Sequence, residues 1–118
     1  MPKSDEQIVE QLKRATAGLL YMSESDYPFE VIQWQEMPEV TSPFIRSLTG
    51  ESEDSPIHEL EVENFLTAER YKNVVNVLRT NLSNAKAYKV GRINIPVYVV
   101  GRSPSGRWLG VSTRVVQT

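Results

Sequence analysis

The chain has 118 residues, of which 40% are hydrophobic and 24% charged, as expected for a single globular domain over residues 1–118. It has no cysteine and one histidine, which excludes disulfides, thiol catalysis and cysteine- or histidine-rich metal sites. The net charge of -2 is unevenly distributed, since residues 1–63 hold 4 basic and 14 acidic side chains and residues 64–118 hold 9 and 1. This predicts either a polarised surface for a charged partner or two halves that interleave and neutralise each other.

The first predicted element is a helix over about residues 4–18. Ser4 and Gln7 have the spacing of a capping box, and the apolar residues that follow recur at helical intervals. Gly18 can adopt a left-handed backbone at low cost and is therefore the expected helix end. Residues 19–28, "LLYMSESDYP", are expected to be a connection, in which Pro28 breaks any continuing helix.

The middle of the chain predicts two strands around a short helix. "FEVIQW", about residues 29–34, is rich in β-branched and aromatic residues and is typical of a strand. Thr41 is the expected cap of a short helix that Gly50 ends, and the acidic stretch "ESEDSP" after it is a predicted loop. "IHELEV", about residues 57–62, alternates as a strand with one wet face does.

The C-terminal half predicts one helix and three strands. Apolar residues at i, i+3, i+4, i+7 and i+11 from Tyr71 indicate a helix over about residues 68–83. "AYKVGRI", "NIPVYVVGR" and "RWLGVSTRVVQ" are then expected to form an antiparallel meander, with a turn at "SPSG". Helices at the start and middle with a mostly antiparallel sheet predict an α+β fold in layers.

The residues alone give no sign of catalysis, so we expect that the protein is not an enzyme. We also expect that it has no cofactor and no membrane-spanning segment. His58 is the only available base for a serine hydrolase, and we expect it to be structural or solvent-facing. "GRSPSG" is followed by Arg107 and Trp108 where a phosphate-binding loop requires Lys and then Ser or Thr. "SESD" and "ESED" lack the spacing of a calcium-binding EF-hand.

Two classes of binding protein remain open on the residues alone. One is a protein-interaction module, whose partner the acidic connection "MSESD" would meet. The other is a single-stranded nucleic-acid-binding domain that uses the basic C-terminal half and its interspersed aromatic residues. Those aromatic residues are Tyr71, Tyr88, Tyr98 and Trp108. The acidic sequence pI of about 5.4 argues against the second class.

Three segments of the chain resemble the nuclease A inhibitor family. They are "EQLKRATAGLLYMSESDYPFEV", "NVVNVLRTNLSNAKAYKVG" and "IPVYVVGRSPSGRWLGVSTRVVQT", and together they cover over half of the chain. The resemblance implies a three-layer α/β/α sandwich with a mostly antiparallel central sheet. It also implies an intracellular inhibitor that binds a sugar-nonspecific, metal-dependent endonuclease one-to-one. We expect the protein to be cytoplasmic and monomeric when free, and not to bind nucleic acid directly.

The same resemblance implies which residues meet the nuclease. Glu24 would enter the catalytic cleft, and the C-terminal Thr118 would reach the metal that the nuclease holds. Ser23, Ser25 and Asp26 share the Glu24 loop and are expected to share its contacts. A carboxylate on a projecting loop can replace a phosphate in a site built for anions, and a chain end offers hard oxygen ligands.

The chain departs from the family pattern in one respect. The family has a longer loop with a contacting tryptophan before the middle helix, whereas "ENFLTAERYKN" is short and has no tryptophan. Phe65 and Tyr71 fit the apolar face of the helix and are not assigned this role, and Trp34 and Trp108 lie in predicted strands. Because aromatic residues are frequent interface hot spots, this difference leaves open a diverged interaction domain of the same fold with another partner.

Overall fold

The computed structural model describes residues 4–49 and 55–116. Four α-helices and seven strands lie in this part of the chain, with a 3₁₀ turn before the last helix. In chain order they are α1 (Asp5–Thr16), β1 (Leu20–Met22), β2 (Asp26–Pro28), β3 (Glu30–Glu36), α2 (Ser42–Thr49), β4 (Ile57–Glu61), α3 (Val62–Phe65), the 3₁₀ turn (Glu69–Tyr71), α4 (Lys72–Asn81), β5 (Ser83–Val90), β6 (Asn94–Arg102) and β7 (Arg107–Val116). The fold is α+β, as the sequence predicts.

The main sheet has five strands in the order β3-β7-β6-β5-β4, and every neighbouring pair is antiparallel. The predicted meander of β5, β6 and β7 is confirmed, and the turn between β6 and β7 falls at Ser103–Gly106. Gly106 has φ 95° there, a backbone conformation that favours glycine. The Ser105 hydroxyl at this turn donates to Asp5 of α1 at 2.8 Å, which joins the start of α1 to this edge of the sheet.

One face of the sheet is covered by α1 and α4. Their apolar stripes pack on alternate residues of β6 and β7 in one buried cluster. The fully buried members include Ile8, Leu12, Val74, Leu78, Val97, Val99, Leu109 and Val111. At about 25 cal/mol per Å² of buried apolar surface, this cluster is the largest stabilising contribution in the fold.

Helix α2 lies against the other face. Phe44 of α2 contacts Trp34 of β3 at a ring distance of 5.0 Å, and Trp34 contacts Tyr98 of β6 at 5.6 Å. Tyr98 lies between two cluster residues along its strand and therefore points away from α1 and α4. The predicted cap is confirmed, since the Phe44 N–H donates to the Thr41 hydroxyl at 3.3 Å. The predicted end at Gly50, and residues 51–54 of the acidic loop, lie outside the described residues.

Several predicted boundaries shift. Helix α1 has the predicted capping box at Ser4 but ends at Thr16, with Gly18 at φ 71° after it. The predicted helix over about 68–83 is shorter, because the 3₁₀ turn replaces its first turn and β5 begins at Ser83. The predicted strand over 57–62 ends at Glu61, and Val62 begins α3. None of the helices in residues 4–49 and 55–116 is long and apolar enough to cross a membrane.

Candidate functional site

The connection expected over residues 19–28 contains a hairpin that the sequence did not predict. Strands β1 and β2 form a separate antiparallel hairpin, in which Tyr21 pairs with Tyr27 and Met22 with Asp26. Each strand has only three residues, too few for an alternating pattern to stand out in the sequence. The loop of this hairpin consists of Ser23, Glu24 and Ser25, so the acidic stretch lies at the tip of a hydrogen-bonded element.

The side chains at the tip face solvent. Glu24, Ser25 and Asp26 are exposed and Ser23 is half-buried. Four of the five residues expected to bind a partner therefore lie together at four consecutive positions, 23–26, of one accessible tip. The fifth, Thr118, lies outside the described residues.

The Ser23 hydroxyl joins this tip to the end of the main sheet. It accepts a hydrogen bond from the Val116 N–H at 3.2 Å and donates one to the Ser25 carbonyl at 2.8 Å. One bond holds the loop to the last residue of β7, and the other closes the loop on itself. Val116 precedes Thr118 by two residues in the sequence. The geometry thus brings the Glu24 loop beside the last described residue of the chain.

The base of the hairpin is also attached to β7. The Thr113 hydroxyl donates to the Pro28 carbonyl at 3.1 Å, at the end of β2. Together with the Ser23–Val116 bond, this attaches both the loop and the base of the hairpin to the same strand, β7. Each such hydrogen bond contributes about 1 kcal/mol net. The hairpin is therefore positioned by the sheet as well as by its own ladder.

Four aromatic rings pack beneath the hairpin. Tyr21 of β1 stacks on Phe65 at a centroid distance of 4.5 Å and on Tyr71 at 5.5 Å. Phe29 meets both tyrosine rings edge-on, at 6.3 Å from Tyr21 and 5.9 Å from Tyr71. Such pairs add about 0.5–1.5 kcal/mol each beyond the area that they bury. Burial, and then the neighbouring Tyr71, raises the pKa of Tyr21 above its ordinary value.

The Tyr71 hydroxyl binds the backbone of β1. It accepts a hydrogen bond from the Met22 N–H at 3.2 Å and lies 3.5 Å from the Leu20 carbonyl, to which it donates. Arg70 lies over the Tyr71 ring, with Cζ 5.7 Å from the ring centre, and its guanidinium contacts the Met22 sulfur. The segment before α4 therefore supports the hairpin from below.

The two aromatic residues that precede α4 are buried and do not form a surface contact. Phe65 and Tyr71 are each only 4% exposed, so neither can supply the surface contact of the tryptophan that the resemblance implies for this region. Trp108 is also buried, and its Nε1–H donates to the Met37 carbonyl at 2.9 Å. Trp34 lies in β3 against Phe44 and Tyr98, as expected for a strand residue.

The remaining sequence-predicted groups lie apart from the hairpin. His58 is solvent-facing on β4, as expected. No three His, Asp or Glu side chains within residues 4–49 and 55–116 come together as a metal site. Sequence reasoning missed Val116, Thr113 and the Tyr71 hydroxyl, because each acts through a long-range hydrogen bond that no local pattern encodes.

These features define a class of protein: a small α+β protein whose acidic hairpin loop is hydrogen-bonded to the end of an inner strand of its sheet. The family model for nuclease A inhibitor-like proteins matches residues 6–69 and 66–118. The chain belongs to this family, and the resemblance noted in the sequence is confirmed. Its members are named as nuclease inhibitors, which makes an inhibitory rather than a catalytic role the expected one. No curated protein sequence matches the chain.

Proposed function

We propose that this protein inhibits a sugar-nonspecific, divalent-metal-dependent DNA and RNA endonuclease by inserting the Ser23–Ser25 loop into its active site. The observation that carries the proposal is the hydrogen bond from the Val116 N–H to Ser23. It supports a single binding surface formed by the hairpin loop and the C-terminal end of β7. The family assignment supplies the class of partner.

Glu24 is the proposed phosphate mimic. A nuclease active site binds phosphate oxygens with cationic side chains and a metal, so it also attracts a projecting carboxylate. Glu24 is exposed at the tip of a hairpin whose strands, aromatic base and sheet contacts are all ordered. A preorganised loop loses less conformational entropy on binding than a mobile one, which increases affinity. Ser23, Ser25 and Asp26 would form the polar rim around Glu24.

Thr118 is the proposed second contact. A terminal threonine carries a hydroxyl and an α-carboxylate, both of which are hard oxygen ligands of the kind that Mg²⁺ and Ca²⁺ prefer. The proposal places Thr118 on the metal that the partner nuclease holds; the inhibitor has no metal of its own in this mechanism. Because β7 brings Val116 to the loop, a chain end two residues further can share the cleft with Glu24.

The proposed architecture is one inhibitor domain over residues 1–118, built as a three-layer α/β/α sandwich. Helices α1 and α4 would form one outer layer and α2 the other, which agrees with the Phe44–Trp34 contact on the second face. We propose that the free protein is a cytoplasmic monomer that binds the nuclease one-to-one. Inhibition would be steric and electrostatic, without chemistry by the inhibitor.

The test is a titration of a sugar-nonspecific, Mg²⁺-dependent endonuclease from the same source with the purified protein. We expect activity to fall linearly to zero at one equivalent. Glu24→Ala should weaken binding by about 2–5 kcal/mol, because cationic groups of the cleft lose their partner. Glu6→Ala, at an exposed position on α1, is the matched control. A dissociation constant for Glu24→Ala within twofold of the wild type would remove Glu24 from the mechanism.

Deleting Thr118 tests the metal contact separately. The deletion should weaken binding more when Mg²⁺ is present than when it is chelated. An equal loss in both conditions would contradict the metal contact while leaving the loop contact intact.

A gel shift with single-stranded DNA and RNA, without nuclease, tests the alternative function. Tyr71 and Trp108, two of the aromatic residues that such binding would use, are buried, so we expect no shift.

A further inference from the structure

The described residues expose four large apolar side chains, and two of them belong to the hairpin that carries the Glu24 loop. The exposed fractions are 42% for Leu20, 54% for Met22, 42% for Leu48 and 59% for Ile93. Leu20 and Met22 belong to β1 of the hairpin, and Ile93 lies in the turn between β5 and β6. Leu48 lies on α2, which packs on the other face of the sheet.

Strand register places Ile93 at the same end of the main-sheet strands as the hairpin loop. Asn94, the next residue, pairs with Val116 across β6 and β7. The Val116 N–H in turn binds the Ser23 hydroxyl. Neighbouring strands are about 4.8 Å apart, so the β5–β6 turn lies only one strand beyond the residue that contacts the loop. The end of β7 therefore lies between the loop and Ile93.

Met22 borders the loop on the hairpin itself. Along β1, Tyr21 turns inward to the aromatic rings, so Leu20 and Met22 turn outward. Met22 pairs with Asp26 across the hairpin, directly below the Ser23–Ser25 tip. The Arg70 guanidinium contacts the Met22 sulfur.

A stable protein complex needs more surface than the loop and the chain end provide. Specific interfaces bury about 800 Å² on each partner, over roughly 20–30 residues. Their binding energy is concentrated in a few well-covered side chains within a polar surround. Two exposed apolar side chains can extend this surface, Met22 next to the loop on β1 and Ile93 beyond the end of β7.

We propose that Met22 and Ile93 flank Glu24 as two apolar contacts to the same nuclease. This inference rests on the proposed function and extends it to the shape of the partner. The nuclease would present apolar surface on both rims of its cationic, metal-containing cleft, one rim covering Met22 and the other covering Ile93. Arg92, beside Ile93 and exposed, would meet an acidic or polar group at the edge of the second rim.

The test compares three alanine variants in binding kinetics with the nuclease that the wild type inhibits. Met22→Ala and Ile93→Ala should each raise koff at least about fivefold, as truncation of an energetically important interface residue does, with kon and its salt dependence unchanged. Leu48→Ala is the matched control and should leave koff within twofold. All three residues are exposed, so thermal melting should be the same in each variant.

Hydrogen exchange gives a second, direct measurement. Amides of residues 91–93 should exchange more slowly in the complex with the wild-type protein, because the nuclease covers the turn. The outcomes separate the two proposals. Loss of binding in Glu24→Ala with no change in Ile93→Ala and no protection of the turn would overturn this inference alone. Absence of any inhibition by the wild type would overturn the proposed function and this inference with it.

Discussion

At the scale of single residues, the Ser23 hydroxyl holds the backbone of the loop that carries Glu24. It uses both its donor and its acceptor capacity, on Ser25 and Val116 respectively. The carboxylate of Glu24 is the group that would contact the partner, and we propose that Ser23 positions it through the loop backbone.

Ser23→Ala tests this positioning role. The substitution removes both hydrogen bonds and should cost about 1–2 kcal/mol of stability, with inhibition weakened about tenfold as the loop loses its fixed orientation. Ser47→Ala is the control, because it removes a side-chain hydrogen bond to the Phe44 carbonyl on α2, away from the hairpin. Thermal melting and nuclease titration of both variants measure the two effects. Equal inhibition constants for the two variants would contradict the role of Ser23.

At this scale, the sequence predicted the charged residue, Glu24, but not the hydrogen bond that holds its loop to β7. The acids and serines of "MSESD" are conspicuous, and the family resemblance selects Glu24 among them. The bond between residues 23 and 116 spans 93 positions, and it depends on how the hairpin meets β7. No local periodicity carries that information, since it arises from tertiary packing.

At the scale of elements, the hairpin lies outside the main sheet, and its packing depends on the segment before α4. An isolated two-stranded hairpin is marginally stable in water. Here Phe65 and Tyr71 supply the apolar base on which Tyr21 packs. The short segment between β4 and α4 thus supports the site from inside, and its aromatic side chains are not exposed as a contact loop.

Tyr71→Phe isolates the hydroxyl of this support. The ring contacts remain, but the Met22 N–H and the Leu20 carbonyl lose their partner. We expect a stability loss of about 1 kcal/mol, faster amide exchange in β1, and weaker inhibition. Tyr98→Phe, a half-buried tyrosine on the other face of the sheet, is the matched control. Unchanged exchange in β1 of Tyr71→Phe would show that ring packing alone holds the hairpin.

Ion pairs join α4 and β5 to α3 and β4. Arg79 of α4 donates to Glu63 of α3 at 2.6 and 2.5 Å and to Glu61 of β4 at 3.1 Å. Lys86 of β5 also pairs with Glu61. The Arg79 hydrogen bonds lower the pKa of Glu63 to about 2 from an ordinary 4.5, and Lys86 and then Arg79 lower the pKa of Glu61.

The pH dependence of stability tests this network through Glu63→Gln. Because the folded pKa is lowered, the folded state binds fewer protons than the unfolded state between about pH 4.5 and 2. The stabilisation is therefore complete above about pH 4.5 and is lost as the pH falls towards 2. Glu63 and Arg79 are 53% and 37% exposed, so solvent screening limits the effect to below about 1 kcal/mol.

Denaturation with urea at several pH values measures the difference between the wild type and Glu63→Gln. The difference should be constant from pH 7 to about pH 5 and should disappear near pH 2. Glu69→Gln is the control, since it removes the same charge from a 3.9 Å pair whose glutamate is 90% exposed. A difference that persists at pH 2 would mean that Glu63 contributes through packing and not through its charge.

Most elements were predictable from the sequence because their local signals agree with their packing. The capping box of α1, the apolar stripe of α4 and the alternation of β6 and β7 all correspond to buried faces in the structure. The hairpin and the replacement of the first turn of the predicted 68–83 helix were not predictable. Both involve segments of three to four residues, for which tertiary contacts outweigh local propensity.

At the scale of the whole molecule, the two oppositely charged halves of the sequence interleave where they meet. Arg79 and Lys86 come from the basic half and pair with Glu61 and Glu63 from the acidic half. Asp26 and Glu30, at the hairpin, form no ion pair within residues 4–49 and 55–116 and are exposed. Asp26 and Glu30 thus leave acidic charge beside the hairpin that a partner can meet, while neutralised charge lies across the α3–α4 side.

The salt dependence of association tests whether this remaining charge directs the encounter. An acidic hairpin that approaches a cationic cleft is steered over about one Debye length, which shrinks from about 10 Å at 0.1 M to about 3 Å at 1 M salt. We expect kon to fall about tenfold between about 0.05 and 0.5 M NaCl, with a smaller change in koff. Stopped-flow mixing with the nuclease measures both rates.

Two variants that change the net charge equally separate local from overall charge. Asp26→Asn removes one charge beside the tip, and Glu6→Gln removes one from the start of α1, where Asp5 binds the β6–β7 turn at the opposite edge of the sheet. Asp26→Asn should flatten the salt dependence of kon, whereas Glu6→Gln should leave it close to that of the wild type. Equal slopes for the two variants would mean that overall charge sets the encounter, and a flat wild-type series would mean that affinity comes from contacts made after docking.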